Sequence, residues 1–479
     1  MVLISFLSSS QKQIEFIEYD LDNGIHVILH EEHATPIVAV SVMYHVGSKN
    51  ENPERTGFAH FFEHLLFEGS ENIGRGEYSN LVERNGGTLN ANTSQDRTYY
   101  FELLPSNQLE LGMWLESERL LHAKVDSLGI ETQRSVVKEE KRQRVDNQPY
   151  GSFMENTFKR AFTEHSYNWV PIGSMAHLDA AEEKDYVNFY KDYYVPANAT
   201  LSIAGDIDIS QTKKWIDKYF GSIPKGMAIN LYRDYLNLDA ADFEKTYNIS
   251  KDKFNKNNKF KPRGCKAKKL YKAQSNNPTI VKRTTKDQSN LKGVVKETIE
   301  DNIQLPALFV SYKLPCQTHE DTYALDMLNQ VLSGGSSSRI NKSIVEKQEL
   351  AMFAFSFNYG LEDAGLGIMA AIAAQGVSLD TIQQEFDKQI QMVKDDLISE
   401  QEFEKIRNQY ENQFISSNST IAGICENLAN YHVYYGSANK VNTELSEYLK
   451  VTREDIKRVA NKYYNQNARI ILHYVPKAK

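Results

Sequence analysis

Three side chains within one short run are placed to act together: in Gly57-Phe-Ala-His60-Phe-Phe-Glu63-His64-Leu-Leu-Phe-Glu-Gly69 the order is His-x-x-Glu-His. The run holds good helix formers and no internal Gly or Pro, and Gly69 stands where a C-cap belongs, which predicts about three turns of helix. On a 3.6-residue period His60 and His64 stack one turn apart on one face, with Glu63 beside them. Two imidazoles so spaced can reach one ion, zinc suits them, and the adjacent carboxylate faces a water on that ion. The competing reading is plain packing. Phe58, Phe61, Phe62, Leu65, Leu66 and Phe67 crowd the same run, and two histidines in such a core can be ordinary hydrogen-bonded residues.

A structural zinc closes its shell with four protein ligands, whereas a catalytic one keeps three and an open position, so one more carboxylate is needed. The best candidate lies in Arg134-Ser-Val-Val-Lys-Glu139-Glu140-Lys-Arg-Gln-Arg144, a charged, helix-competent run between Gly129 and Pro149. Adjacent carboxylates on a helix point about 100° apart, so only one of Glu139 and Glu140 can face the ion. Taken alone, such a pair is also what a solvated helix face carries.

The combined pattern resembles the M16 family of pitrilysin/insulinase-type zinc metallopeptidases, and within it the two-domain, processing-peptidase-like subfamily M16B. Glu140 lies 76 positions after His64, as the family's third ligand does. Gly86-Gly-Thr-Leu-Asn90-Ala91-Asn-Thr-Ser-Gln-Asp96-Arg-Thr98-Tyr99 is similar to the family's strand after the zinc helix, and Asn198-Ala-Thr-Leu-Ser-Ile-Ala-Gly205-Asp also matches. The resemblance spans the chain apart from one central segment. It implies a LuxS/MPP-like metallohydrolase fold forming half of a clamshell, with one Zn2+ per chain on His60, His64 and Glu140 and with Glu63 as general base. By the same resemblance Glu139 and Gln133 support the ligands from behind, although the family usually has glutamate where this chain has Gln133. A peptide substrate is expected along a sheet edge at Leu89, Asn90, Ala91 and Asn92, with Phe61 next to it.

One departure bears on partners. Family members that work alone, and partner subunits of the zinc-bearing chains, carry an Arg and a Tyr seven positions apart in the second half; Val345 and Met352 stand there here. Two apolar side chains cannot donate hydrogen bonds to an oxyanion. The chain is therefore expected to be the zinc-bearing subunit of a heterodimer whose homologous partner supplies the Arg/Tyr pair, with a homodimer as the alternative. The alternative function is a non-catalytic assembly subunit like those of respiratory complexes.

The elements that must position these groups are legible as an α+β layout, an antiparallel sheet backed by helices. Strands are predicted at Ile17-Glu-Tyr-Asp-Leu, Ile25 to His30 and Ile37 to Tyr44, with an Asn23-Gly24 hairpin turn between the first two. Helices are predicted at Tyr78 to Arg84, Gln108 to Leu121 and Ile209 to Tyr219, and strands at Leu89, Tyr99 to Leu104 and Thr200 to Ala204. The second half repeats the first: Lys191-Asp-Tyr-Tyr corresponds to Asn461-Lys-Tyr-Tyr, and Leu65-Leu-Phe-Glu-Gly69 to Gln330-Val-Leu-Ser-Gly334. In that register His60, Glu63 and His64 face Leu325, Leu328 and Asn329. The same helix therefore packs without histidines, so packing does not explain them.

The 479 residues, with 41% hydrophobic and 25% charged, divide into an expected signal-peptide remnant or frayed terminus at 1–13, a zinc-bearing domain at 14–230, a basic flexible linker or insertion at 231–295, and a ligand-free domain at 296–479. Residues 241–290 hold 14 Lys and Arg against 4 Asp and Glu, so a whole-chain net charge of −8 hides a strongly acidic remainder. That balance argues against nucleic acid as a partner. No apolar stretch approaches the roughly 20 residues of a membrane span. The expected location is periplasm or cell envelope, with the cytoplasm as the alternative. Cys265, Cys316 and Cys425 are scattered and form neither a disulfide framework nor a metal cluster in sequence.

Overall fold

The computed structural model describes residues 13–223 and 291–477, together with 239–241, 244 and 250. The expected terminal segment, save its last residue, nearly all of the expected linker, and Cys265 lie outside the described residues.

The first half carries strands β1 (Ile17–Asp20), β2 (His26–Glu31), β3 (Ile37–Tyr44), β4 (Thr88–Thr93), β5 (Thr98–Pro105) and β6 (Ala199–Gly205). Its helices are α1 (Phe58–Leu65), α2 (Glu77–Arg84), α3 (Leu109–Leu121), α4 (Ser127–Lys141), α5 (Phe153–Ala161), α6 (Met175–Ala180), α7 (Glu183–Tyr193) and α8 (Ile209–Tyr219). The second half has strands β7 (Val295–Asp301), β8 (Ala307–Leu314), β9 (Ala351–Gly360), β10 (Gly365–Ala373) and β11 (Ile470–Pro476). Its helices are α9 (Thr322–Ser333), α10 (Leu379–Asp395), α11 (Glu400–Ser417), α12 (Ile421–Tyr435), α13 (Lys440–Lys450) and α14 (Arg453–Tyr463).

The two sheets run β1-β2-β6-β3-β5-β4 and β7-β11-β8-β10-β9. Dropping β1, the orders superimpose strand for strand, which is the internal duplication expressed as topology. The sheets are not wholly antiparallel: β2 pairs β6 in parallel, and β11 pairs β7 in parallel at the equivalent place. Such a pair needs a long crossover, and all the helices between β2 and β6 supply it.

Each sheet is covered on both faces, and the second cover comes from the other half. Along β3, Val38, Val40, Val42 and Tyr44 face the core built on α1, α3 and α7, while Ala39 and Met43 face α12 through Cys425 and Ala429. Small residues on that second face, Ala39, Ser41, Ser202 and Ala204, let the helix come close enough for Cys425 Sγ to lie 3.2 Å from Ser41 Oγ and 3.1 Å from the Ser202 carbonyl. Reciprocally, Phe158, Ala161 and Phe162 at the end of α5 pack on Ala307, Phe309 and Ile470 of the second sheet. This mutual exchange of helices explains why central strands read as continuous apolar runs instead of alternating.

The helix α1 is shorter than the sequence predicts. It spans two turns, ending at Leu65, and Gly69 lies in a later turn at φ 127° and not at the C-cap.

Candidate metal centre

Anchors at both ends hold α1 in place. At its N-terminus Gly57 takes φ 98° and no side chain caps the helix; instead the buried Glu51 carboxylate accepts from the Gly57 and Ala59 amides at 2.9 and 2.8 Å. A carboxylate there also complements the helix dipole. Toward the C-terminus the Tyr100 hydroxyl donates to the Phe62 carbonyl at 2.9 Å, and Arg119 Nη1 donates to the Leu66 carbonyl at 3.3 Å. Arg119 is fully buried between Glu102 and Glu116, with the rings of Phe67, Tyr78 and Tyr100 around its guanidinium.

α4 crosses α1 closely. Asp126 caps α4 by accepting from the Gly129 amide at 2.8 Å, and a Cβ at Gly129 would stand 3.2 Å from Leu65 Cδ1 and 2.8 Å from Arg75 Nη1. Glycine is what the contact admits. At its far end α4 passes into a π-helical turn, Arg142–Asp146, which starts two residues after Glu140. The widened turn brings Arg144 Nη1 to 2.8 Å from Glu140 Oε1.

The result is a convergence of His60, His64 and Glu140, whose ligand-capable atoms lie within 4.8 Å of one another. Glu140 Oε2 is 3.4 Å from His60 Nε2 and 3.0 Å from His64 Nε2. Ligands bound at 2.0–2.1 Å around a tetrahedral ion would be separated by about 3.3 Å, so the donors already stand at the spacing of a metal shell. Glu140 Oε2 is buried with no hydrogen-bond partner, an unmet polar capacity that a cation at this point would satisfy. The residues fit zinc. His64 is the most open of the three, with 26% of its side chain exposed, so the cluster has a solvent side.

Electrostatics favour the ligating forms. Burial, reinforced by the neighbouring His64, pushes His60 down to about 4 against the opposing pull of Glu140, keeping it neutral. The His64 imidazole beside Glu140 holds that carboxyl below the usual range, helped by His60 and Arg144 against burial. Glu63 moves the other way: burial raises it, while Thr93 on β4 and His64 oppose the rise. A carboxylate with a raised proton affinity beside an ion site is equipped to accept a proton.

Other expected residues are placed differently. Glu139 is exposed, bonded to Arg142 and Gln143 at 3.0 Å each, and touches no ligand; it points away because it is one residue, hence about 100°, from Glu140. Gln133 donates to Glu68 Oε1 and not to a ligand, joining a group in which Arg75 pairs with Glu68. Phe61 is wholly buried against Tyr186, so its ring belongs to the core and offers nothing to a substrate. β4 is the outer strand of its sheet, pairing only with β5 among the described residues. The Ala91 amide donates to the Asn90 side chain and not across to β5, so it faces the open edge; Asn90 and Asn92 are exposed while Leu89 and Ala91 are half-buried. Val345 sits in the π-helical segment Asn341–Lys347, half-buried, and Met352 is 67% exposed at the start of β9.

Sequence reasoning missed Glu51, Thr93, Arg119 and Arg144. Arg144, four residues beyond Glu140, had a local signal in its spacing. The other three reach α1 from separate elements and had none.

The family description "Insulinase (Peptidase family M16)" matches residues 26–168, and "Peptidase M16 inactive domain" matches 182–410. The zinc protease PqqE of Helicobacter pylori is 30% identical over 450 residues, covering 93% of this chain and 89% of that protein. A crystal structure of a protease from Helicobacter pylori superimposes with a TM-score of 0.81 at 26% identity, covering 96% of this chain and all of that one. The periplasmic protease PqqL of Escherichia coli shares the fold at a TM-score of 0.70 and 17% identity, this chain spanning 47% of its length. With its two duplicated α+β halves, and a relative this similar along nearly its whole length, the chain belongs to the M16 family of peptidases.

Proposed function

We propose that this chain is a zinc-dependent endopeptidase acting on extended peptides or unfolded polypeptides. The observation that carries the reading is the convergence of His60, His64 and Glu140 beside the raised carboxyl of Glu63, in one half only. In the duplicate helix α9 the equivalent places hold Leu325, Leu328 and Asn329.

His60, His64 and Glu140 would hold one zinc ion per chain. Bound there, zinc supplies Lewis acidity, polarising a carbonyl oxygen and lowering the pKa of a water to about 7. Glu63 takes the proton of the attacking water on a carboxylate oxygen and returns it to the leaving nitrogen. Arg144 fixes the orientation of Glu140 through its second oxygen. The open edge of β4, at Leu89 and Ala91, offers main-chain groups on which an extended peptide pairs as an added strand, which demands little of its sequence.

Val345 and Met352 offer no oxyanion donor, which supports a working unit of two chains, the partner being a homologue that carries the Arg/Tyr pair. The periplasmic location of PqqL, which shares the fold, supports export to the periplasm.

The test is hydrolysis of a quenched fluorescent peptide mixture by the purified chain, alone and with an Arg/Tyr-bearing partner. Glu63→Gln is expected to lower turnover by about 10²–10⁴-fold while zinc content stays at one per chain. Normal cleavage by Glu63→Gln rejects the assignment of the base. Zinc bound without cleavage in any mixture points instead to a non-catalytic assembly role.

A further inference from the structure

The face of the first sheet that α12 covers gathers a second set of ligand-capable side chains. Donor atoms of Glu18, His26 and His432 lie within 4.8 Å of one another. Local geometry accounts for the meeting. Glu18 and Asp20 alternate with Ile17 and Tyr19 along β1, so both project to one face of the sheet. Asp20 pairs directly with His26 and Glu18 with Ile28, which puts these two β2 residues on the same face. Ile28 packs with Ile424 and Leu428 of α12. His432 follows Leu428 by one helical turn, as His26 precedes Ile28 by one strand repeat, so the two imidazoles meet. Their ring centroids are 3.4 Å apart and their planes 7° from parallel.

The cluster is short of positive charge. His26 Nδ1 lies 2.8 Å from Asp20 Oδ1, and its Nε2 lies 3.2 Å from Glu18 Oε2. Among the described residues neither carboxylate pairs with a lysine or an arginine. One negative charge is therefore unanswered even when His26 carries two protons, whereas a divalent cation in place of the second proton answers both. Asp20 is then the carboxylate that backs a ligating histidine: it keeps the proton on Nδ1 and leaves the Nε2 lone pair for the ion. Donors bound at 2.0–2.1 Å around one tetrahedral ion stand about 3.3 Å apart, close to the spacing of Nε2 and Glu18 Oε2.

The stack sets one condition. Lone pairs in parallel rings run side by side and do not converge, so one ring must turn about its Cβ–Cγ bond before both reach the same ion. Two carboxylates hold His26, while neither ring nitrogen of His432 has a hydrogen-bond partner among the described residues, so His432 is the ring that turns. Two imidazole nitrogens and one carboxylate suit Zn2+, Ni2+ or Co2+, and not the oxygen-seeking Mg2+ and Ca2+. We propose that Glu18, His26 and His432, with Asp20 behind His26, bind a second metal ion of this transition-metal class, which ties β1 and β2 of the first half to α12 of the second. The site shares no residue with the centre at His60. It is the weaker of the two, because the stack must open and Glu18 is exposed, so one equivalent of zinc fills the centre at His60 first.

The test is equilibrium dialysis of the full chain, stripped of metal, against rising Zn2+. Two ions per chain are expected, in a tight step and a weaker one. His26→Gln and His432→Gln, on separate elements, each remove the weaker step alone, Asp20→Asn weakens it about 10–100-fold, and His60→Gln removes the tight step alone. Urea midpoints of the metal-free variants serve as controls for folding. The tie is read at Cys425, two turns before His432 on α12: with one equivalent of zinc already bound, Ni2+ at about ten times its Kd for the weaker step slows Cys425 alkylation about tenfold, and has no such effect in His432→Gln. A single step in the unaltered chain, a weaker step that survives both histidine substitutions, or one that Mg2+ displaces as readily as Ni2+ does, overturns the site. Alkylation of Cys425 indifferent to Ni2+ overturns the tie between the halves.

Discussion

Replacing Arg119 with Met would remove the charge at the centre of a network that has no contact with solvent. The side chains of Arg119, Glu102 and Glu116 are all 0% exposed, with Arg119 Nη2 at 3.3 Å from Glu102 and 3.0 Å from Glu116. Methionine occupies much of the same volume but strands two carboxyls. Removing one partner of a buried ion pair costs about 3–5 kcal/mol. Burial and Glu116 already hold the Glu102 carboxyl well above its usual range, so it takes a proton easily and the expected cost lies near the lower end, about 3 kcal/mol. All three tryptophans, Trp114, Trp169 and Trp215, lie in the first half, so their fluorescence reports its unfolding selectively. With a urea dependence of roughly 2–3 kcal/mol per M, the midpoint of Arg119→Met falls by about 1 M. The Leu66 carbonyl also loses its donor, which loosens the end of α1 and weakens zinc binding, read by chelator competition, by about 10–100-fold. Adding Glu102→Gln and Glu116→Gln removes the stranded charges and restores most of the stability. A midpoint shift below about 0.3 M with unchanged zinc affinity would refute the reasoning, as would a triple variant no more stable than the single one.

Three further outcomes are expected. Zinc-free protein loses stability as pH falls from about 6.5 to about 4, because the unfolded chain protonates His60 across that window and the folded one does not; the loss is at most about 3 kcal/mol, and His60→Gln, compared by urea titration at both ends, shows correspondingly less. Ala91→Pro removes an edge-facing amide that β5 does not use, so peptide affinity drops several-fold while the melting temperature stays within a few degrees; equal damage to both denies the edge its role. Iodoacetamide at pH 8 alkylates the half-buried Cys316 but spares Cys425, whose thiol burial pushes up to about 11, until the chain is unfolded; rapid native labelling of Cys425 would mean α12 leaves the sheet readily.

Spacing was enough to gather three members of the centre, and the family resemblance added Glu140. His60, Glu63 and His64 share a face because a helix repeats every 3.6 residues, and most strand and helix positions followed from local periodicity and turn chemistry. The duplication could be read because both copies keep the same core helix, and the matching strand orders of the two sheets, β1 aside, follow from it. Residue types and spacing left Glu139 and Glu140 open and the family resemblance pointed to Glu140; the tertiary structure supplied the reason, since which of them turns inward depends on how α4 crosses α1 over Gly129. It also showed that Phe61 is core, because Tyr186 from α7 covers it. Glu51, Thr93 and Arg119 hold or tune the zinc helix from distant points in the chain, and the exchange of α5 and α12 between halves pairs surfaces more than a hundred residues apart. A sequence determines such contacts without displaying them, because periodicity records only which face of an element is apolar, whereas the partner that covers the face is selected by the packing of the whole fold.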